Sequence, residues 1–184
     1  MGVIDTAKSY IGKVTYVFGG DDLDGGKADC SSFVQTVFRK NGITIGRTTF
    51  DQIEQGTPVD KKDLQAGDLV FFQGTYATDG PSHVGIYIGG SQFIDCGSTG
   101  VRISDLNSSY WQEHYMTARR IPNTPVGDGA VTGNFSTGAT ATISSGGGSS
   151  LLGSIATFVT ILLCVVGGFF FLSMAFGFTL NPLK

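Results

Sequence analysis

The chain has 184 residues with 15 acidic and 12 basic side chains, a net charge of −3, and 41% apolar residues. Every acid lies at or before Asp128 and no residue from Gly129 to Leu183 is charged, so the first part alone, with eleven bases, carries about −4. That balance argues against a nucleic-acid surface, and three scattered cysteines, Cys30, Cys96 and Cys164, are too few for a disulfide framework or a zinc site.

Val3, Ala7, Tyr10 and Ile11 fall at helical spacing and predict an opening amphipathic helix. Residues 1–13 lack an apolar core of signal-peptide type, so no cleavable leader is expected. A short extended run, Thr15 to Phe18, precedes an acidic, glycine-rich stretch from Gly19 to Lys27. Its Asp21, Asp22 and Asp24 lack the twelve-residue pattern and closing glutamate of a calcium loop, so it reads as a solvated loop holding no metal. Next come Asp29, Ser31 and Ser32, which are helix-cap types, then Phe33, Val34, Val37 and Phe38 on one helical face, and Asn41-Gly42 as the stop. Cys30 therefore sits in the first turn of a helix, where unpaired N–H groups and the helix dipole favour a thiolate.

Residues 48–55 read as a short helix, and residues 61–68 as a turn launching a strand from Leu69 to Gln73. After a polar turn, Val84, Ile86 and Ile88 alternate with His83, Gly85 and Tyr87, the pattern of a half-buried strand. Gln92 to Cys96 is its hairpin partner, and further strands are expected at Val101 to Ile103 and Tyr115 to Ile121. Helices first, then an antiparallel sheet, is an α+β order.

A thiol nucleophile needs a base within hydrogen-bond reach and a group that orients the base. The chain has two histidines. His83, at the start of a strand beside a polar turn, can face the Cys30 helix; His114 reads as an ordinary surface or core residue. A three-residue loop, Ile88-Gly89-Gly90, would set Asp95 opposite His83 and Ile94 opposite Val84. A two-residue Gly89-Gly90 turn would instead put Asp95 on the other face. A carboxylate at Asp95 would favour a protonated ring and hence a thiolate–imidazolium pair. Backbone N–H groups at the helix start would meet the oxyanion. Cys96 reads as buried and inert, with a redox partnership with Cys30 as the alternative.

The motifs Tyr16-Val17-Phe18-Gly19-Gly20, Asp29-Cys30-Ser31, Arg47 with Gln52, Gly67-Asp68-Leu69-Val70-Phe71-Phe72, and Ser82-His83-Val84-Gly85-Ile86-Tyr87-Ile88-Gly89 occur in the order and approximate spacing of the NlpC family. That family consists of bacterial cell-wall cysteine peptidases with a papain-like core, and the resemblance runs from about Val3 to Ile121. It implies Cys30 as nucleophile, His83 as base and Asp95 as the third polar residue, where the family more often has His, Asn or Gln. It also implies that Tyr16, Asp29 and Ser31 line the subsite for the N-terminal part of a peptidoglycan stem peptide, with no cofactor. The usual reaction of the family is hydrolysis of the bond between γ-D-glutamyl and the diamino acid. Arg47 and Gln52 read as structural. Two alternatives stand beside this one: an amidase of the related cysteine-histidine type, and a mainly structural, membrane-penetrating assembly protein.

The expected organisation is a peptidase domain over residues 1–122, a Gly/Ser/Thr-rich tether over 123–150, a membrane segment over 151–180 and a short tail over 181–184. Thirty uncharged residues from Leu151 to Leu180 exceed the roughly 20 needed to cross a bilayer. Gly167-Gly168 allows a kink or a hairpin as well as one tilted helix, and an apolar segment buried in an assembly is the alternative to insertion. Lys184 favours a cytoplasmic C-terminus. The expected setting is the bacterial cell envelope or a virion tail. The candidates are a phage-tail or other injection component, a tail-anchored cellular hydrolase (including one of a conjugative element), and a phage lysis enzyme.

Overall fold

The computed structural model describes residues 1–131. It opens with α1 (Val3–Lys8) and continues through β1 (Thr15–Tyr16), β2 (Asp21–Asp22) and β3 (Lys27–Ala28), which form a small sheet in the order β1-β3-β2. The acidic stretch expected to be a plain loop therefore carries strands. It is pinned at Asp22, which accepts from the Gly25 N–H at 2.8 Å, and at Asp24, which pairs with Lys40 at 2.9 Å.

The helix α2 (Cys30–Lys40) begins where the cap residues place it. The Asp29 carboxylate accepts from the Ser32 N–H at 2.7 Å, and the Ser32 hydroxyl accepts from the Asp29 N–H at 3.0 Å, a reciprocal cap. Phe33, Val34, Val37 and Phe38 are fully buried in one core with Val84, Ile86, Ile94 and Cys96 of the sheet. Each such side chain contributes about 1.5–3 kcal/mol by leaving water, so burial of this face fixes the height of Cys30 over the sheet.

After α3 (Thr49–Ile53) come β4 (Thr57–Val59), a 3-10 turn (Lys61–Asp63), β5 (Leu69–Gln73), β6 (Pro81–Gly89), β7 (Gln92–Gly97), β8 (Gly100–Asp105), α4 (Ser109–His114) and β9 (Tyr115–Arg120). The six longer-range strands form one antiparallel sheet in the order β4-β9-β5-β6-β7-β8. This is the α+β arrangement read from the sequence, with β4 and α4 in addition. Strand β5 alternates: Leu69 and Phe71 join the core under α2, while Val70 and Phe72 join Phe93, Leu106 and Trp111 on the other face.

The β6–β7 hairpin corrects the expected register. Its turn has two residues, Gly90 and Ser91, at φ of 57° and 61°, the left-handed pair that a tight hairpin turn needs. That turn pairs Gly89 with Gln92 and alone would put Asp95 on the face opposite His83. A bulge between Tyr87 and Gly89 restores the parity, giving Gly85 opposite Asp95 and Ile86 opposite Ile94. His83 and Asp95 are thus diagonal neighbours on one face rather than a directly facing pair.

Residues 123–131, assigned by composition to the tether, run back along α1. Val3 and Ile4 donate their N–H groups to the carbonyls of Pro125 (2.7 Å) and Val126 (3.2 Å), and the Val131 N–H donates to the Ile88 carbonyl at 2.6 Å. The folded part therefore extends beyond residue 122. The remainder of the tether, the apolar run over residues 151–180, Cys164 and the last four residues lie outside the described residues. Among the described residues no helix is long and apolar enough to cross a membrane.

Candidate active site

Cys30 is 6% exposed at the head of α2. Below it in the same turn, the Ser32 N–H is taken by the Asp29 carboxylate and the Phe33 N–H by the Asp29 carbonyl. The amides of Cys30 and Ser31 are not among those so used, and they point where a helix N-terminus receives negative charge.

His83 is 7% exposed on β6. Its Nε2 lies 3.0 Å from Asp95 Oδ2, and the Cys30 thiol is close enough to act electrostatically on the same ring. Burial works against a charged imidazole, but the bond to Asp95 and the influence of Cys30 outweigh it and push His83 up to about 9. The ring is held from the side by Trp111, which stacks on it with centroids 5.3 Å apart at 21°, and Trp111 itself leans on Phe72 and Phe93.

Asp95 is fully buried on β7. Besides His83 it accepts from the Ser104 hydroxyl at 2.6 Å, and the Arg102 guanidinium lies 3.5 Å from its Oδ1. A buried carboxylate persists only with such partners. Three of them, on two neighbouring strands, leave the carboxylate one orientation toward the ring.

Asp29 is saturated. Its oxygens accept from the Ser32 N–H, from the Ser31 hydroxyl at 3.1 Å, and from both terminal nitrogens of Arg47 at 3.0 and 2.8 Å. Arg47 also donates to the Gly20 carbonyl at 3.0 Å, tying the β1–β2 turn to the helix cap. Burial opposes ionisation of Asp29, yet Arg47 and the Ser32 N–H hold its carboxyl below the usual carboxylate range. Gln52, fully buried, donates to the carbonyls of Ser31 and Gly46, both at 2.9 Å. Arg47 and Gln52 are thus the structural residues that the sequence suggested. Tyr16 is half-buried, and its hydroxyl is pushed up to about 12 by burial and by the neighbouring charges of Cys30 and Asp29, so it stays a hydrogen-bond donor.

The structure bonds His83 to Asp95 and sets Cys30 near enough to act on the same ring, with Asp29 and Ser31 flanking the thiol and Tyr16 within reach of its charge. His114 is elsewhere: its Nδ1 lies 2.8 Å from the Tyr110 carbonyl and its ring stacks on Tyr110. Cys96 is fully buried, its thiol donating to the Ala28 carbonyl at 3.6 Å and pushed up to about 12 by burial. Its burial agrees with the buried residue read from the sequence. Sequence reasoning missed Ser104, Arg102 and Trp111. Alternation along β8 puts Arg102 and Ser104 on one face and could have flagged them. The six-residue α4, which carries Trp111, is too short to show a period.

A thiol at a helix N-terminus, an imidazole on an antiparallel sheet and a buried carboxylate behind it are the parts of a papain-like architecture. The model of the NlpC/P60 family matches residues 12–120, and the chain belongs to that family. It is 40% identical over 119 residues to the bifunctional muramidase/DL-endopeptidase CwlT of Bacillus subtilis, covering 65% of this chain and 36% of that one. Against the murein DD-endopeptidase MepS/murein LD-carboxypeptidase of Escherichia coli K12 the identity is 44% over 110 residues, 59% of this chain and 56% of that one. Among solved structures, an NLP/P60 family protein of Staphylococcus aureus matches with a TM-score of 0.60 at 38% identity, over 65% of this chain and 40% of that one. The peptidoglycan hydrolase RipB of Mycobacterium tuberculosis matches with a TM-score of 0.54 at 31% identity, over 65% and 63%. The chain aligns with 36% of one of these two curated relatives and 56% of the other.

Proposed function

We propose that the chain hydrolyses peptide bonds of the peptidoglycan stem, with Cys30 as nucleophile, His83 as acid and base, and Asp95 as the group that orients His83. The observation that carries this reading is the 3.0 Å bond between the His83 imidazole and the buried Asp95 carboxylate, on a ring that shares its electrostatic environment with the Cys30 thiol at the head of α2. With His83 raised to about 9, the ring holds its proton at neutral pH, and an imidazolium beside sulfur favours the thiolate.

The sulfur attacks the carbonyl carbon, and the developing oxyanion meets the Cys30 and Ser31 amides. As the C–N bond breaks, the ring proton passes to the leaving amine and a thioester remains. The neutral ring then takes a proton from water, whose oxygen attacks the thioester. The product carboxylic acid leaves, and the thiolate–imidazolium pair is restored.

Tyr16 and Ser31 are the proposed substrate contacts. Asp29, with its oxygens already occupied, acts in the subsite by holding Ser31 and the helix start in place. The bond between γ-D-glutamyl and the diamino acid is the proposed target; the DL- and DD-endopeptidase names of the relatives make the DD cross-link the competing bond. The uncharged run over residues 151–180 supports action close to a membrane, as part of a phage tail, an injection or conjugation apparatus, or the envelope itself.

Digestion of purified peptidoglycan by the full chain, with mass spectrometry of the fragments, tests the reading. New diamino-acid amines identify the endopeptidase. A new N-terminal L-Ala would instead identify the amidase, and no fragment that depends on Cys30 would refute the hydrolase.

A further inference from the structure

We propose that Phe18 and Tyr76 form an aromatic bridge across the mouth of the cleft, which limits access to Cys30 to slender peptide and selects free stem peptide over cross-linked wall. The two rings come from opposite walls. Phe18 lies in the β1–β2 turn, whose backbone is bonded to the segment entering α2: the Val17 N–H donates to the Ala28 carbonyl at 2.9 Å, and the Asp29 N–H to the Gly20 carbonyl at 3.2 Å. Tyr76 lies in the loop before β6, which is fastened to the residue preceding His83: the Thr75 N–H and hydroxyl reach the Ser82 hydroxyl at 2.9 and 2.8 Å. One ring is therefore carried by the thiol side and the other by the imidazole side.

They meet edge to face, with centroids 5.7 Å apart at 87°. Phe18 is otherwise 73% exposed and Tyr76 43% exposed, so neither ring is explained by the core. Cys30 and His83, on the two segments that carry the rings, keep only 6% and 7% of their surface. The Tyr76 hydroxyl is raised by burial and by the charges of Cys30 and Asp29. An open depression of about 710 Å³ lies beside the ring, lined by Tyr76 itself with Gly74, Ala77, Thr78 and Asp79. A single edge-to-face pair favours the closed form by only roughly two- to tenfold, so the bridge parts for a substrate that can pay that small cost.

The bridge itself stands on geometry; the class of substrate it selects rests on the proposed peptidoglycan activity. The test uses the full chain and compares alkylation of Cys30, followed by peptide mapping, with iodoacetamide and with a maleimide on a bulky polyethylene glycol. Phe18→Ala and Tyr76→Ala should each raise the bulky-to-small rate ratio by roughly three- to tenfold, and Tyr76→Phe, which keeps the ring, should stay near wild type. Ratios within twofold of wild type in both alanine variants would overturn the bridge. The labelling needs no turnover, so absence of hydrolysis in the wild type would count against the proposed function and not against the bridge. The second arm compares kcat/KM on cross-linked sacculi with that on a soluble stem tripeptide. The alanine variants should gain on sacculi relative to tripeptide, and an unchanged ratio would overturn the selection.

Discussion

Replacing Asp95 with asparagine removes a charge while keeping the shape of the side chain, and the consequence should appear first at His83. In the native protein the ring is raised to about 9 because its bond to Asp95 and the influence of Cys30 outweigh burial. In Asp95→Asn the burial remains, and the carboxylate no longer offsets it. With only Cys30 left to oppose burial, His83 should then lose its proton at a clearly lower pH, toward the ordinary imidazole value of about 6.5, a change worth up to about 3 kcal/mol to the protonated form. The sign is definite: the native ring stays protonated through neutral pH and loses its proton as pH rises through about 9, whereas the variant's ring is neutral at pH 7. Ring-labelled histidine NMR reads this directly, since the chain has two histidines and His114→Gln assigns the remaining signal. Repeating the titration with Cys30→Ala separates the contribution of the sulfur; it should lower the His83 midpoint too. At pH 7, kcat/KM of Asp95→Asn should fall by roughly a hundredfold or more, because the proton that the leaving amine needs is missing. A His83 midpoint still near 9 in Asp95→Asn, or one near 6.5 in the wild type, would refute the reasoning.

The other expectations concern the supports of the site. Ser104→Ala removes a 2.6 Å hydrogen bond to the buried Asp95 and should cost about 1.5–3 kcal/mol in urea unfolding, with a lowered kcat at little change in KM. Trp111→Ala should cost about 3–5 kcal/mol through the cavity left among Phe72, Phe93 and His83, and Trp111→Phe should recover most of the stability and activity. Arg47→Ala strands the Asp29 carboxylate; because the guanidinium is itself partly solvated, roughly 2–3 kcal/mol is expected at neutral pH. Asp29 is held below its usual value, so its contribution is present above the ordinary carboxylate range and is lost as pH falls through the lowered value. Acid unfolding, followed by circular dichroism, should therefore begin at a higher pH in Arg47→Ala than in the wild type.

The legible parts of the site were those encoded locally. The Cys30 helix could be read because its caps and its apolar face lie within a dozen consecutive residues, and the structure places the helix start at Cys30 itself. The association of His83 with Asp95 was also readable, since period-2 alternation decides which residues share a face. The register that brings them together was not. The sequence suggested a longer loop, while the chain uses the Gly90-Ser91 turn and compensates with a bulge at Ile88. A bulge inserts one residue without any compositional mark, so parity can be inferred from function but not from pattern. The strap over residues 125–131 was hidden for a related reason. It is held largely by backbone hydrogen bonds to α1 and β6, and Gly127 and Gly129 leave no room for a Cβ beside Asp5, so its composition resembles that of the Gly/Ser/Thr-rich residues that follow. Trp111 and Ser104 escaped because their roles exist only once α4 and β8 have been brought against His83 and Asp95.

The most direct test of the central claim is release of soluble fragments from dye-labelled sacculi by the full chain and by its Cys30→Ala variant, both reduced and both checked for native fold. The account predicts steady release by the wild type and none above background from Cys30→Ala, with iodoacetamide reducing the wild type to the same level. Release by Cys30→Ala at a rate comparable to wild type would contradict it, since the reaction would then proceed without the thiol on which His83 and Asp95 converge.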